Sequence, residues 1–364
     1  MFGMQLVEFQ TLNHIVKIRK ENIFFNHHPL IAGKFVYTEQ INQIFLHQNI
    51  NKLNHCFVII RMYSQSIEDS ICVRLKLKRK IFLSSFREQG LNGSLMESFK
   101  LDSFPNFSEE HTTNYKKYIS LNIPKIDINK PLIAVHSRSG NFPKNKQPAR
   151  VCDISRNTSF NEINYISSEF QTRNFNFIRI GYFEEYDKTQ SCNIIDIRRE
   201  IQDDNVLQSS IFALTRGYVG SSSGPLSFFA IQKMPCLLIS VYPFDLNYPF
   251  SPEDVIVIPK FIYDLKNRRV LSKEEQFDEN FVKLQNLYND RLILNKQFEP
   301  RSLPPEITRK IYTNWQSSIL NKDLDSKWLR HSINASNSLK KATTLQNLPI
   351  IPVEYFDYLV SQNS

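Results

Sequence analysis

The sequence predicts an α/β protein whose second half is built on a parallel sheet. Three observations carry that prediction. Short apolar runs at 131–136, 175–180 and 236–241 alternate with segments of helical periodicity, the rhythm of strands covered by helices on both faces. At 364 residues, with 41% hydrophobic and 22% charged side chains, the chain has apolar material for two packed domains. Glycines are scarce, 9 in all or about 2.5% against a usual ~7%, and five of them (Gly140, Gly181, Gly217, Gly220, Gly224) fall between residues 140 and 224. Glycine serves where a backbone needs positive φ or close approach to a ligand, so a site is expected in that stretch.

In chain order, Thr38 is placed to cap a helix carrying Ile41, Ile44 and Phe45 on one face. Residues 56–62 (CFVIIRM) read as a buried strand. Over 71–83, Val73, Leu75 and Leu77 alternate with Arg74, Lys76 and Lys78, a half-exposed strand with a basic outer face. Residues 103–130 read as a connection and one helix. Ser108 caps it, Glu109 and Glu110 suit its first turn, Tyr115, Tyr118 and Ile119 form its apolar stripe, and Pro124 ends it. The domain boundary is placed here, giving domains over 1–125 and 126–303 and a helical C-terminal tail over 304–364.

From Pro131 the elements alternate regularly. Residues 131–136 (PLIAVH) form a strand, and Ser159 with Glu162 makes a capping box that opens a helix bearing Ile163, Ile166 and Phe170. Strands follow at 175–180 and 193–197. Asp203-Asp204 sits at a helix N-cap before a helix over 206–214. A strand at 218–220, a helix over 225–232 and a strand at 236–241 complete the series. In the tail, Trp315 and Trp328 are the packing anchors.

Several classes of function are disfavoured. No run approaches ~18 consecutive apolar residues, and Glu8, His14 and Lys17 interrupt the start, so neither a membrane span nor a signal-peptide core is expected. The five cysteines (Cys56, Cys72, Cys152, Cys192, Cys236) are widely spaced without a C-x-x-C pair, which predicts packed thiols in a reducing cytoplasm. His27-His28-Pro29 reads as a surface turn, and no metal site is expected. Neither G-x-x-x-x-G-K-[ST] nor G-x-G-x-x-G occurs. The net charge of +9 fits nucleic acid, anionic lipid or a phosphorylated small molecule. The Asn-, Ile-, Lys- and Phe-rich composition is what an AT-rich coding sequence produces, so charge by itself selects none of them.

Ligands of a parallel α/β sheet sit outside the carboxyl ends of its strands, and three strand ends here carry unusual residues. The first is His136-Ser137-Arg138-Ser139-Gly140-Asn141, and the second holds Arg179 and Gly181. The third, Gly220-Ser221-Ser222-Ser223-Gly224-Pro225, runs into a helix that Pro225 begins well. Such a turn offers backbone N–H groups and hydroxyls to an anion, and two guanidinium forks converging from neighbouring strand ends suit a diphosphate.

These landmarks resemble the bacterial glycosyltransferases with a GT-B-type nucleotide-sugar domain, distantly related to fucosyltransferases. The resemblance runs from Pro131 to Phe244. It rests on the H-x-R strand end (His136, Arg138), Arg156-Asn157-Thr158-Ser159-Phe160 opening a helix, the Arg-x-Gly strand end (Arg179, Gly181), the Gly-Ser-Ser-Ser-Gly turn and the strand begun by Pro235. The Ser-Ser-Gly-Pro turn is also similar to that of heptosyltransferases using ADP-sugars.

The resemblance implies two Rossmann-like domains facing a cleft, with residues 1–125 on the acceptor side. It implies an inverting, metal-independent enzyme, cytoplasmic with room for peripheral contact at the inner face of the membrane. That enzyme needs no cofactor beyond its donor, and passes a sugar from a nucleotide diphosphate to a polysaccharide or lipopolysaccharide-type acceptor. Arg138 and His136 would be the catalytic residues. Gly140, Asn141, Arg156, Asn157, Arg179, Gly181, Ser221, Ser222, Ser223 and Gly224 would bind the donor. The catalytic base stays open among Glu8, Glu39, Glu68 and Asp69. The rival reading is a non-catalytic basic protein that binds nucleic acid or anionic membrane through the strand carrying Arg74–Lys80. Aliphatic rather than aromatic residues alternate with those basic positions, so nucleic acid is not the expected partner.

Overall fold

The chain divides into two units, Met1–Phe107 and Ser108–Ser364. The structure, a computed structural model, describes residues 109–138, 158–181, 193–201, 204–222, 225, 226, 229, 234–242, 255–278, 280–282, 297–320, 326–342 and 349–363, all in the second unit. The helix expected after Thr38, the strands expected at 56–62 and 71–83, the acceptor-side domain up to residue 108 and most of the helix expected at 225–232 lie outside the described residues.

Within the second unit, the α/β architecture is a six-stranded parallel sheet. Its strands are β1 (Leu132–His136), β2 (Asn176–Arg179), β3 (Ile195–Asp196), β4 (Thr215–Gly220), β5 (Cys236–Val241) and β6 (Val255–Pro259), in the order β3-β2-β1-β4-β5-β6. This is the doubly wound order of Rossmann sheets, and it reverses direction between β1 and β4, the place where sheets of this order hold their ligands at the carboxyl edge. Strands β1, β2, β5 and β6 are buried along their whole length, which explains why apolar residues dominate them, with His136, Arg179 and Ser240 standing out at or near their carboxyl ends. Removing side chains such as Ile133, Val135, Ile178 and Leu237 from water contributes ~1.5–3 kcal/mol each to the core.

The helices follow from capping and apolar spacing. Helix α1 (Glu109–Asn122) buries Tyr115 and Ile119 and packs on α4 (Asn205–Leu214). Asp204 joins the two: it caps α4 by accepting from Leu207 N–H at 2.8 Å and accepts from the Tyr118 hydroxyl at 2.9 Å. Helix α2 (Phe160–Ile166) begins at the capping box read from the sequence, with Ile163 and Ile166 turned inward. A short α3 (Arg198–Ile201) follows β3.

Past β6 the chain adds a small antiparallel sheet that the sequence reading did not anticipate, β7 (Phe261–Asp264) between β8 (Arg269–Val270) and β9 (Phe298–Arg301). Helix α5 (Lys273–Gln276), α6 (Pro305–Trp315), a π-helical turn (Gln316–Leu320), α7 (Lys327–Ala342) and α8 (Val353–Asn363) complete the described chain. The tail is packed into the domain. Ile350 pairs with Ile256 and accepts from Val257 N–H at 2.9 Å, covering the β6 edge. Buried Glu354 accepts from Trp328 Nε1 and from Asn314 Nδ2 (2.8 Å), tying α6, α7 and α8 together. Trp315 is fully buried, as its role as an anchor requires. Among the described residues no helix is long and apolar enough to cross a membrane.

Candidate functional site

The residues at the carboxyl ends of β1, β2, β3 and β4 form one connected group at the strand-order reversal. His136, the last residue of β1, pairs with Gly220 of β4. The Ser221 N–H donates to the His136 carbonyl at 3.0 Å, and the two side chains meet through His136 Nδ1 and Ser221 Oγ at 3.1 Å. The Tyr218 hydroxyl donates to the Ser221 carbonyl at 2.7 Å, so this serine is buried and held by its main chain as well as its side chain.

Two glycines make room for this histidine. A Cβ on Gly220 would lie 2.0 Å from the His136 carbonyl oxygen, a distance no side chain can occupy. Gly181 has φ +119°, and a Cβ there would lie 3.0 Å from His136 Cδ2. Both glycines thus admit the close approach of a protein group.

Three arginines lie within electrostatic reach of the ring. Arg179 ends β2 almost fully buried, with the Phe160 ring centred 3.4 Å from its guanidinium carbon and an Asp196 oxygen 3.6 Å from Nη1. Register explains the pairing, since Arg179 and Asp196 are neighbours across β2 and β3. Asp196 also receives Arg198: Nε donates at 3.0 and 3.2 Å, Nη2 at 2.7 Å and the backbone N–H at 3.1 Å. Arg138 stands half-buried, two residues beyond β1.

Burial, then the charges of Arg179, Arg138 and Arg198, lower the His136 pKa from 6.5 to about 3. The imidazole is neutral at physiological pH. It can position Ser221 and shape the crevice, but it brings no charge to an anion.

On the far side of β4, the end of β5 is shaped differently. Ser240 is held at φ +54°, where the β5–β6 register shifts. Its hydroxyl donates to Glu162 and accepts from the Ser302 hydroxyl, 2.9 Å away. Glu162 also accepts from the Ser159 N–H in the capping box, and Thr158 Oγ1 donates to the Ile239 carbonyl at 3.2 Å. These bonds fasten the start of α2, and with it Phe160, over the carboxyl edge.

Of the residues expected at the site, His136, Arg138, Arg179, Gly181, Ser221 and Ser222 are described. The first five belong to or border the group above, and Ser222 follows Ser221, half-buried. Gly140, Asn141, Arg156, Asn157, Ser223 and Gly224 lie outside the described residues. Sequence reasoning missed Asp196, Arg198 and Phe160. A usable signal was the Asp-Ile-Arg spacing at 196–198, which sets a carboxylate and a guanidinium on one strand end. Chemically the group is a partly desolvated cluster with three arginines, Arg138, Arg179 and Arg198, to one carboxylate, Asp196, an excess of positive charge suited to an anion. Among the described residues no three His, Cys, Asp or Glu side chains gather to hold a metal ion.

The chain matches no protein-family profile and no curated protein. Among solved structures it is similar to a glycosyl transferase family 9 protein from Veillonella parvula, at 13% identity and TM-score 0.30, over 45% of this chain and 46% of that one. It is also similar to ADP-heptose lps heptosyltransferase II from E. coli, at 12% identity and TM-score 0.32, over 57% and 59% of the two chains. The chain thus matches about half the length of these structures, and likenesses of this size fix neither an activity nor a substrate.

Proposed function

We propose that this chain is a GT-B-type, inverting, metal-independent glycosyltransferase. It passes a sugar from a nucleotide-diphosphate donor to a surface glycan of the polysaccharide or lipopolysaccharide type, on the cytoplasmic side of a bacterial membrane. The observation that carries the reading is the cluster of Arg138, Arg179 and Arg198 around a neutral His136 at the strand-order reversal. In the reaction, an acceptor hydroxyl oxygen bonds to the anomeric carbon while the bond from that carbon to the donor phosphate breaks. Both electrons leave with the diphosphate, and the hydroxyl proton passes to a carboxylate, for which Glu8, Glu39, Glu68 and Asp69 are the candidates.

Negative charge grows on the departing diphosphate, and fixed positive groups in a partly desolvated crevice stabilise it most at that moment. Arg138 faces that charge, Arg179 and Arg198 supply field from the neighbouring strand ends, and His136 holds Ser221. The turn through Ser222, Ser223 and Gly224 offers N–H groups, while Gly140, Asn141, Arg156 and Asn157 complete the donor contacts.

Thermal-shift titration with ADP, GDP and UDP, with and without EDTA, tests this. At least one nucleotide should raise the melting temperature, with the shift unchanged by chelation. Stabilisation by nucleic acid and by none of the nucleotides would contradict it.

A further inference from the structure

The end of α6 carries a group of polar atoms that no described residue satisfies. Tyr312 Oη, Trp315 Nε1 and both amide atoms of Gln316 are buried without a hydrogen-bond partner. Tyr312 and Trp315 are 0% exposed and Gln316 is 1% exposed. Positions i, i+3 and i+4 share one helix face, and the Tyr312 and Trp315 rings lie 5.8 Å apart, so these orphans occur together. Helix α6 packs on α2, on the 3-10 turn Ser167–Glu169, on β5 and on α8, with the Phe170 ring 5.0 Å from that of Tyr312. The helix widens at this point into the π-helical turn Gln316–Leu320, a rare distortion that is frequent at functional sites.

Leaving all of these groups dry would cost the desolvation of each one. We propose that Tyr312, Trp315 and Gln316 bind ordered internal water, at least one molecule, in the seam between α6 and the layer that carries α2. The hydrogen-bonding inventory fits. Phenol, indole and amide offer more hydrogens than acceptors, and a water oxygen takes two of them while returning its own to the Gln316 carbonyl or the Tyr312 oxygen. A bound anion fits less well. Burial and then the charge of Glu169 raise the pKa of the Tyr312 phenol, so the local potential disfavours added negative charge. The seam matters to the site because α2 begins at Phe160, which lies against Arg179.

The experiment uses the full chain labelled with nitrogen-15 at tryptophan. The sequence holds 2 tryptophans, so two indole signals appear, and Trp315→Phe assigns them. Trp328 is the internal control, because its Nε1–H is taken by Glu354. The Trp315 Nε1–H should show a direct cross-relaxation peak to long-lived water. In parallel, Gln316→Met and Tyr312→Phe should each raise the unfolding equilibrium constant, roughly tenfold for one lost hydrogen bond. Absence of the water peak in the wild-type protein overturns the proposal. So does an increase in stability for both substitutions, the result expected when a dry, unsatisfied polar group is removed.

Discussion

Acidification should destabilise this protein more than a His136→Asn variant. The sign follows from the linkage of proton binding to folding. His136 has an ordinary pKa of 6.5 when unfolded and about 3 when folded, so between those values the unfolded chain binds a proton that the native one refuses. The stabilisation is therefore fully present above 6.5 and is lost as pH falls toward about 3. Each pH unit is worth ~1.4 kcal/mol, so a step to about pH 5, roughly 1.5 units below 6.5, removes about 2 kcal/mol. Asparagine places a hydrogen-bonding group where Nδ1 meets Ser221, but it does not titrate. The assay is urea unfolding at about pH 7.5 and about pH 5, followed by tryptophan fluorescence. Both tryptophans, Trp315 and Trp328, belong to the unit that contains His136, so the signal reports the relevant transition. Other groups titrate alike in both proteins and cancel in the difference. Equal losses in wild type and variant would mean that His136 titrates normally, and its buried, arginine-flanked setting would be refuted.

Two further substitutions probe the same architecture. Gly220→Ala should prevent β1 and β4 from pairing at their carboxyl ends, because its methyl would meet a backbone oxygen at 2.0 Å; Gly181→Ala, at φ +119° but against a side chain, should cost about 1–3 kcal/mol. Differential scanning calorimetry should rank Gly220→Ala well below Gly181→Ala, and the reverse order would contradict the packing described. Asp196→Asn should destabilise by about 1–3 kcal/mol. That is less than a fully buried pair would lose, because this carboxylate is 35% exposed. Unchanged urea stability would show that Arg179 and Arg198 do not depend on it.

Much of the second unit was legible because its signals are local. The strands at 131–136 and 236–241 are short runs apolar at all but one position, Ser159 and Glu162 announce their capping box within four residues, and Asp204 caps the helix it precedes. Strand β4 starts at Thr215, earlier than the apolar residues at 218–220 indicate, because its first residues enter through an irregular pairing with β1. The small antiparallel sheet was missed for a similar reason. Its strand β8 has two residues, β9 contains Glu299, Pro300 and Arg301, and β7 finds β9 across more than thirty residues of chain. Periodicity cannot report such a pairing.

The candidate site divides in the same way. Glycine scarcity and the strand-end residues pointed to His136, Arg179 and the serine turn. The partnership of Asp196 with Arg179 exists only through the register of β2 and β3, and Phe160 reaches Arg179 only because the chain returns there after β1. The purpose of Gly181 was likewise invisible in sequence: the group that approaches it closely is the His136 ring.

The central claim, a diphosphate site at the carboxyl edge beside Arg138, is tested most directly by calorimetric titration of nucleoside diphosphates into wild type and Arg138→Ala. Wild type should bind at least one of ADP, GDP and UDP, and the variant should keep its circular dichroism while binding ~1.5–3 kcal/mol more weakly, the range for charge-assisted hydrogen bonds. A folded variant with undiminished affinity, or a wild-type protein that binds none of the three, would contradict the claim.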